Sequence, residues 1–241
     1  MDAPETIIEH RNIIRNNAFL REVYKDFYTR LTPIDIPEGP IVEIGSGGGF
    51  IKDIIPGTQT SDVVEGPDID MVFSAEQLPY QNESVSAFVL LNTFHHIKDP
   101  VRALQEMRRC LKPGGKIMMV EPYNSPWSKW LYTNFHYEGF DARAGWKIPG
   151  EGRLTDANNA LPWIVFVRDR TLFEEQFPEL SIRRIAPHTP LSYVVSGGLT
   201  RKPFLPLSLY PVLRYFEKLL QPCARFVGMF STIELVKEKT I

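Results

Sequence analysis

Cysteine is scarce: the chain has two, Cys110 and Cys223. Two thiols build neither a disulfide framework nor a cysteine-ligated zinc site. They suit a reduced, cytoplasmic setting. No apolar run approaches the roughly 18 residues that cross a bilayer. The opening Met-Asp-Ala-Pro-Glu-Thr lacks the basic-then-apolar profile of a signal peptide. Positive charge is not in excess, with 27 Lys and Arg against 29 Asp and Glu. A broad nucleic-acid-binding face is therefore not expected. Repeats and low-complexity tracts are missing too. What is left is a chain of 241 residues, long enough for one sizeable core with a cap.

The most informative stretch is Ile-Val-Glu-Ile-Gly-Ser-Gly-Gly-Gly at residues 41–49. The apolar run suits a buried parallel strand. The glycines suit a tight turn where backbone approaches a ligand closely. Glu43, an acid at the end of a buried strand, is costly unless something binds it. A hydroxyl- or ammonium-bearing cofactor would serve. A dinucleotide fingerprint needs a third glycine where Phe50 stands. A phosphate-binding P-loop needs a Gly-Lys-Ser/Thr ending, which is missing.

Helical spacing over residues 6–31, interrupted near Asn16-Asn17, leads through Pro33, Pro37 and Pro40 into the first strand. Phe50 and Ile51 open a helix-like stretch. Further strands are expected at 59–64, 70–73, 87–91 and 116–120. An amphipathic helix spans 100–111, and Lys112-Pro113-Gly114-Gly115 forms a turn. A helix at 171–177 and strands at 181–185 and 229–237 follow. Alternating strands and helices imply an α/β doubly wound, mostly parallel sheet of seven strands. The domain plan is an N-terminal helical segment (1–40), a core (41–121), an aromatic insertion (122–170), a core helix and strand (171–187), a second insertion (188–228) and a last core strand (229–241).

The Glu-x-Gly-x-Gly-x-Gly pattern resembles the first motif of class I S-adenosylmethionine-dependent methyltransferases. Further passages carry the same resemblance. These are Leu78-Pro79-Tyr80 with Ser84 to Phe88, Phe94-His95-His96-Ile97 with Asp99-Pro100, and Glu106, Arg109 and Leu111 to Gly115. They cover residues 41–121. The resemblance implies a Rossmann-like fold and an S-adenosylmethionine cofactor at the carboxyl ends of the strands. It implies that Glu43, Gly45, Ser46, Gly47 and Gly49 hold the amino-acid part, and that Asp62, with Val63 beside it, takes the ribose hydroxyls. Ser74 stands where the family usually has an acid near the adenine, so that contact rests on the backbone of Ala75 and Glu76. Asn92 ends the fourth strand as a further site residue. Ser86 also replaces a family acid, with a role expected in turn structure only.

All four tryptophans, Trp127, Trp130, Trp146 and Trp163, fall in the first insertion. Both insertions leave strand ends on the cofactor side and are expected to form an aromatic cap. Candidate bases are His95, His96, His136 and Glu138, of which His96, His136 and Glu138 are the favoured set. No metal site is expected, because adjacent histidines on a helix point apart. Residues 201–241 hold seven Lys/Arg against three Glu, and the apolar helical face in 201–228 suggests contact with a membrane surface or a lipid-linked substrate. The expected activity is methyl transfer to oxygen of a small-molecule, glycan or lipid-linked acceptor, without nucleic acid. A non-catalytic S-adenosylmethionine-binding regulator and an NAD(P)-dependent oxidoreductase are the alternatives.

Overall fold

The computed structural model describes residues 4–135, 138–150 and 156–239. Helices α1 (Pro4–Asn16) and α2 (Ala18–Leu31) lead the chain, separated at Asn17, whose side chain caps α2 by accepting from Leu20 N–H at 3.0 Å. The core then runs β1 (Ile41–Ile44), β2 (Gln59–Asp62), β3 (Met71–Val72), β4 (Val85–Leu91), α3 (Pro100–Cys110) and β5 (Leu111–Pro122). After β5 come α4 (Pro126–Phe135), α5 (Leu161–Trp163) with a π turn at Ile164–Arg168, and α6 (Arg170–Gln176). The chain closes with β6 (Leu180–His188), α7 (Ser192–Val195), α8 (Tyr210–Leu219), α9 (Ala224–Val227) and β7 (Phe230–Lys237).

The seven strands form one sheet in the order β3-β2-β1-β4-β5-β7-β6. β1 to β5 are parallel, and β7 runs antiparallel to both its neighbours. β4 is buried at all seven positions, as a central strand covered on both faces must be. Val42, Ile44, Phe88, Leu90 and Met119 point into a helix layer containing α3 and Phe166. Val89, Leu91, Met118 and Val120 point to the other side, against α2. The order of β1 and β4 reverses the winding of the sheet, and a crevice opens at the carboxyl ends of the strands there.

Four expectations need correction. The stretch after the glycines is a single 3₁₀ turn, Ile51–Asp53. Pro56 and Gly57 follow at once and stop a helix from extending. Lys112 to Gly115 lies inside β5 as a bulge against β4, not as a turn before the strand. Ser86 is a buried residue of β4 rather than a turn residue. The tryptophans also divide. Trp146 is in the main core, donating from Nε1 to Asp169 at 2.9 Å, with Trp163 packed against the same core. Trp127 and Trp130 stack on the opposite side, next to the crevice. Half of the expected aromatic cap is therefore core, because the crossover from β5 to β6 needs a helix layer beneath the sheet.

Candidate active site

A cavity of about 1010 Å³ lies over the carboxyl ends of β1, β2 and β4. Its floor is the loop after β1. Gly47 adopts φ +51°, and a Cβ there would meet nothing within 4 Å, so the loop presents bare backbone to the cavity. At Gly49 the constraint is different: a Cβ would collide with the Tyr28 hydroxyl, so its glycine lets α2 close on the loop.

Asp62 ends β2 on the same wall. Its Oδ2 accepts from Gly47 N–H at 2.9 Å and its Oδ1 from Val63 N–H at 2.7 Å. Burial raises its pKa, opposed by these backbone bonds. The carboxylate thus orders the glycine turn and keeps lone pairs for a ligand. Asn92, at φ +52°, lines the cavity with its Oδ1 buried and lacking a protein partner. A buried orphan acceptor asks for a donor from outside the chain.

Gly45, Ser46, Val63, Ser74, Ala75 and Glu76 also line this wall. Ser74 Oγ accepts from Glu76 N–H at 3.2 Å, and Glu76 Oε1 accepts from Asp99 N–H at 3.1 Å. Both residues therefore shape their own loop, and the Glu76 amide is already engaged. Glu106 and Arg109 of α3 support that loop from behind. Glu106 accepts from Leu78 N–H at 3.0 Å, and Arg109 donates to the carbonyls of Leu78 and Tyr80.

Glu43 departs from expectation. It is 1% exposed, and its carboxylate is approached only by the Ser46 and Tyr28 hydroxyls, in loose hydrogen-bond geometry. Yet it lies under the loop and not on the cavity wall. Strand alternation sends Val42 and Ile44 into one layer and Glu43 toward α2. Burial pushes its pKa up to about 7, while the nearby Ser46 and Tyr28 hydroxyls favour the ionised form. Glu43 lies beneath the glycine loop and does not face the cavity.

A second polar group adjoins the loop through Thr93, whose Oγ1 donates to Gly45 O at 3.2 Å. Glu121, fully buried near the end of β5, accepts from the backbone N–H groups of Thr93 and Phe94 at 2.8 and 2.7 Å through Oε1. Its Oε2 lies 2.7 Å from His95 Nδ1. His95 Nε2 faces Glu138 Oε2 at 3.6 Å, and His96 Nε2 faces Glu138 Oε1 at 3.7 Å. Asn159 donates to Glu138 Oε2 at 3.2 Å. His95, His96, Glu138 and Asn159 all line the cavity. Burial disfavours a charged His95, but the hydrogen bonds and charges of Glu121 and then Glu138 prevail and raise its pKa to about 9. The His95 ring is thus held between the carboxyl groups of Glu121 and Glu138.

The expectation that the adjacent histidines point apart fails. Residues 94–96 form a 3₁₀ turn, not an α-helix, and the two rings sit 4.2 Å apart. Three donor atoms from His95, His96 and Glu138 consequently fall within 4.8 Å of one another. His136 lies outside the described residues.

Glu121 was not anticipated as a site residue, nor were Tyr24, Tyr28 and His10 as firm members of the wall, although all but Glu121 line the cavity. The signal for Glu121 was available, because it repeats the Glu43 pattern of an acid at the end of a buried strand. α1 reaches the cavity through Ile7 and His10, with Arg11 paired to Asp68 beyond β2.

The profile of the methyltransferase domain family matches residues 53–119. Over that stretch, less than a third of the chain, this protein is similar to a methyltransferase domain. A demethylmenaquinone methyltransferase of Renibacterium salmoninarum is 38% identical over 56 residues, covering 23% of this chain and 24% of that protein. An uncharacterised 37.1 kDa protein in transposon TN4556 of Streptomyces fradiae is 30% identical over 86 residues, or 36% of this chain and 24% of its own length. These matches thus span about a quarter of each curated relative. Among solved structures, an S-adenosylmethionine-dependent methyltransferase of Thermotoga maritima, described as a possible histamine N-methyltransferase, superposes with a TM-score of 0.55 at 15% identity, covering 98% of this chain and 97% of its own.

Methyltransferase domains of this class use S-adenosylmethionine, and the residues here fit it. Gly47 leaves a backbone cradle, Asp62 offers carboxylate lone pairs, and Asn92 offers an unpartnered acceptor.

Proposed function

We propose that this protein transfers a methyl group from S-adenosylmethionine to a hydroxyl of an amphipathic acceptor, a small molecule or a glycan or lipid-linked sugar, with Glu138 as proton acceptor. The observation that carries this reading is the Glu121–His95–Glu138 chain, whose His95 and Glu138 line the same cavity as the glycine loop.

When bound, the cofactor supplies an electrophilic methyl group on a sulfonium. Asp62, Asn92 and the Gly45–Gly49 backbone bind and orient it. Glu138 accepts the hydroxyl proton, within reach of the His96 ring. Glu121 and His95 are positioning groups: Glu121 anchors the His95 ring through Nδ1, and the ring's Nε2 faces the Glu138 carboxylate at the wall. The cavity walls from α1, α2, α4 and the segment 193–204 exclude water, and their apolar residues Ile7, Ile14, Leu131 and Leu199 suit an acceptor with a hydrocarbon portion.

The test is incubation with S-adenosylmethionine and a panel of apolar alcohols and glycolipids, with mass-spectrometric detection of methylated product. Glu138→Gln is expected to lower kcat by roughly 100-fold or more while cofactor affinity stays unchanged. Equal kcat in the variant would remove Glu138 from the chemistry. Cofactor binding without turnover of any acceptor would favour the regulator reading.

A further inference from the structure

Beyond the methyltransferase core, residues 201–228 carry a surface that the reaction does not require. Nine of the fifteen large apolar side chains exposed on the described surface lie between Phe204 and Phe226. Phe204 is 61% exposed, Phe216 53% and Leu219 59%. Water-soluble surfaces seldom gather apolar residues this densely without a partner. Helix α8 is short, but Leu209, Val212, Phe216 and Leu219 continue one exposed stripe along it.

The charge around this stripe has one sign. Arg201, Lys202, Lys218 and Arg225 are exposed, whereas the lone acid of the segment, Glu217, is buried. Glu217 accepts from the backbone N–H groups of Leu191 and Ser192 and pairs with Arg214. Arg214 is further tied to Asp26, so neither contributes free charge. The face therefore presents apolar side chains ringed by uncompensated cations.

We propose that residues 201–228 form a docking surface for an anionic phospholipid bilayer. Apolar side chains would enter the headgroup boundary while the cations meet phosphate groups, the physics of an interfacial rather than a spanning segment. No helix among the described residues is long and apolar enough to cross a membrane, which agrees with attachment from one side. A second copy of the chain is the weaker occupant. A two-fold dimer through this patch would set the same four cations against themselves with no exposed acid of the segment to offset them.

The surface is also continuous with the cavity mouth. Arg201 and Phe204 line the cavity, as do Trp130 and Phe135 of α4, which are 50% and 64% exposed. Docking in this orientation opens the cavity toward the bilayer. The docking itself does not depend on the acceptor assigned above; delivery of a lipid-linked acceptor does.

The direct test is co-sedimentation of the full chain with phosphatidylcholine vesicles and with vesicles of phosphatidylcholine and phosphatidylglycerol. Cys223 supplies a readout without surface substitutions. It is exposed within this face while Cys110 is buried, so an environment-sensitive fluorophore on Cys223 should shift to the blue when the mixed vesicles are added. The expected result is binding to mixed vesicles that weakens with salt. Lys218→Glu with Arg225→Glu should weaken it at least about tenfold. Phe216→Ser with Leu219→Ser should also weaken it at least about tenfold. Cofactor titration should leave both double variants unchanged, since none of these four residues lines the cavity.

Absence of wild-type binding and of the fluorescence shift would overturn the proposal. So would equal binding to neutral and anionic vesicles, or binding that survives both double variants. A dimer in size-exclusion chromatography with light scattering, abolished by Phe216→Ser with Leu219→Ser, would assign the face to a second copy instead. Vesicle binding without methyl transfer would leave the docking surface standing and count only against the enzymatic reading.

Discussion

Two buried titratable side chains give this protein an alkaline sensitivity that separate variants can dissect. Glu43 has its pKa raised from the ordinary carboxylate range to about 7 by burial. A group whose folded pKa is raised contributes stability below its unfolded pKa, and that contribution is lost as pH rises through the folded value. The ligand-free protein should therefore lose stability between about pH 5 and 8, and Glu43→Gln should flatten that decline in thermal melts. An equally steep decline in the variant would contradict this account of Glu43. His95 follows the same sign in a higher window. Its pKa rises from the ordinary imidazole value of 6.5 to about 9, so its ion pairing is complete below the first value and lost above the second. His95→Gln should remove the stability lost between pH 7 and 10. It should also remove the alkaline limb of the kcat profile, which a merely structural role would leave in place. The groups facing His95 are Glu121 of β5 and Glu138, with the His96 ring tilted beside it. Much of this scale was readable beforehand. Gly47, Asp62 and Asn92 stand where a glycine-rich turn and two strand ends require them. Glu43 was rightly marked as a buried acid, but its direction was not legible, because the pleat phase depends on which helix layer takes Val42.

The hinge between α1 and α2 joins distant elements through one side chain. Asn17 Oδ1 caps α2, while its Nδ2 donates to Ser196 O at 2.8 Å, joining the N-terminal helices to the second insertion. Asn17→Ala removes both bonds and should cost about 1–3 kcal/mol. For a chain of this size that corresponds to a fall in Tm of roughly 2–4 °C per kcal/mol, measurable by calorimetry. Because the 193–204 segment forms part of the cavity wall, cofactor affinity should weaken as well. Unchanged melting and affinity would show that the two elements do not depend on each other. Elements with strong local signals were legible in advance: the break at Asn16-Asn17, the apolar run 87–91 of β4 and the proline-opened α3. Those governed by tertiary context were not. β5 absorbs Lys112 to Gly115 as a bulge because β4 continues pairing back to Val85. The stretch at 51–53 stays a 3₁₀ turn because Pro56 denies it further turns.

At the scale of the whole molecule, one sheet sets the glycine loop and the Glu138 cluster around a single cavity, to which both insertions contribute lining residues. A seven-stranded, mostly parallel α/β sheet was legible from the alternation of strands and helices, whereas that alternation does not by itself specify the order β3-β2-β1-β4-β5-β7-β6. The polar cluster was only half accessible. His95 and Glu121 are 26 residues apart and Glu138 lies in another segment, and only the parallel pairing of β4 with β5 brings them together. The insertions were rightly placed on the cofactor side. Their division between core and cap was not legible, since a tryptophan suits either environment.

The most direct test of the central claim is a calorimetric titration of S-adenosylmethionine into the wild-type protein and into Gly47→Val. The wild type is expected to bind one equivalent in the micromolar range. The variant is expected to show no binding, because its side chain enters the cradle at φ +51°. Absence of binding in the wild type, or the same affinity in both proteins, would contradict the placement of the cofactor over the glycine loop.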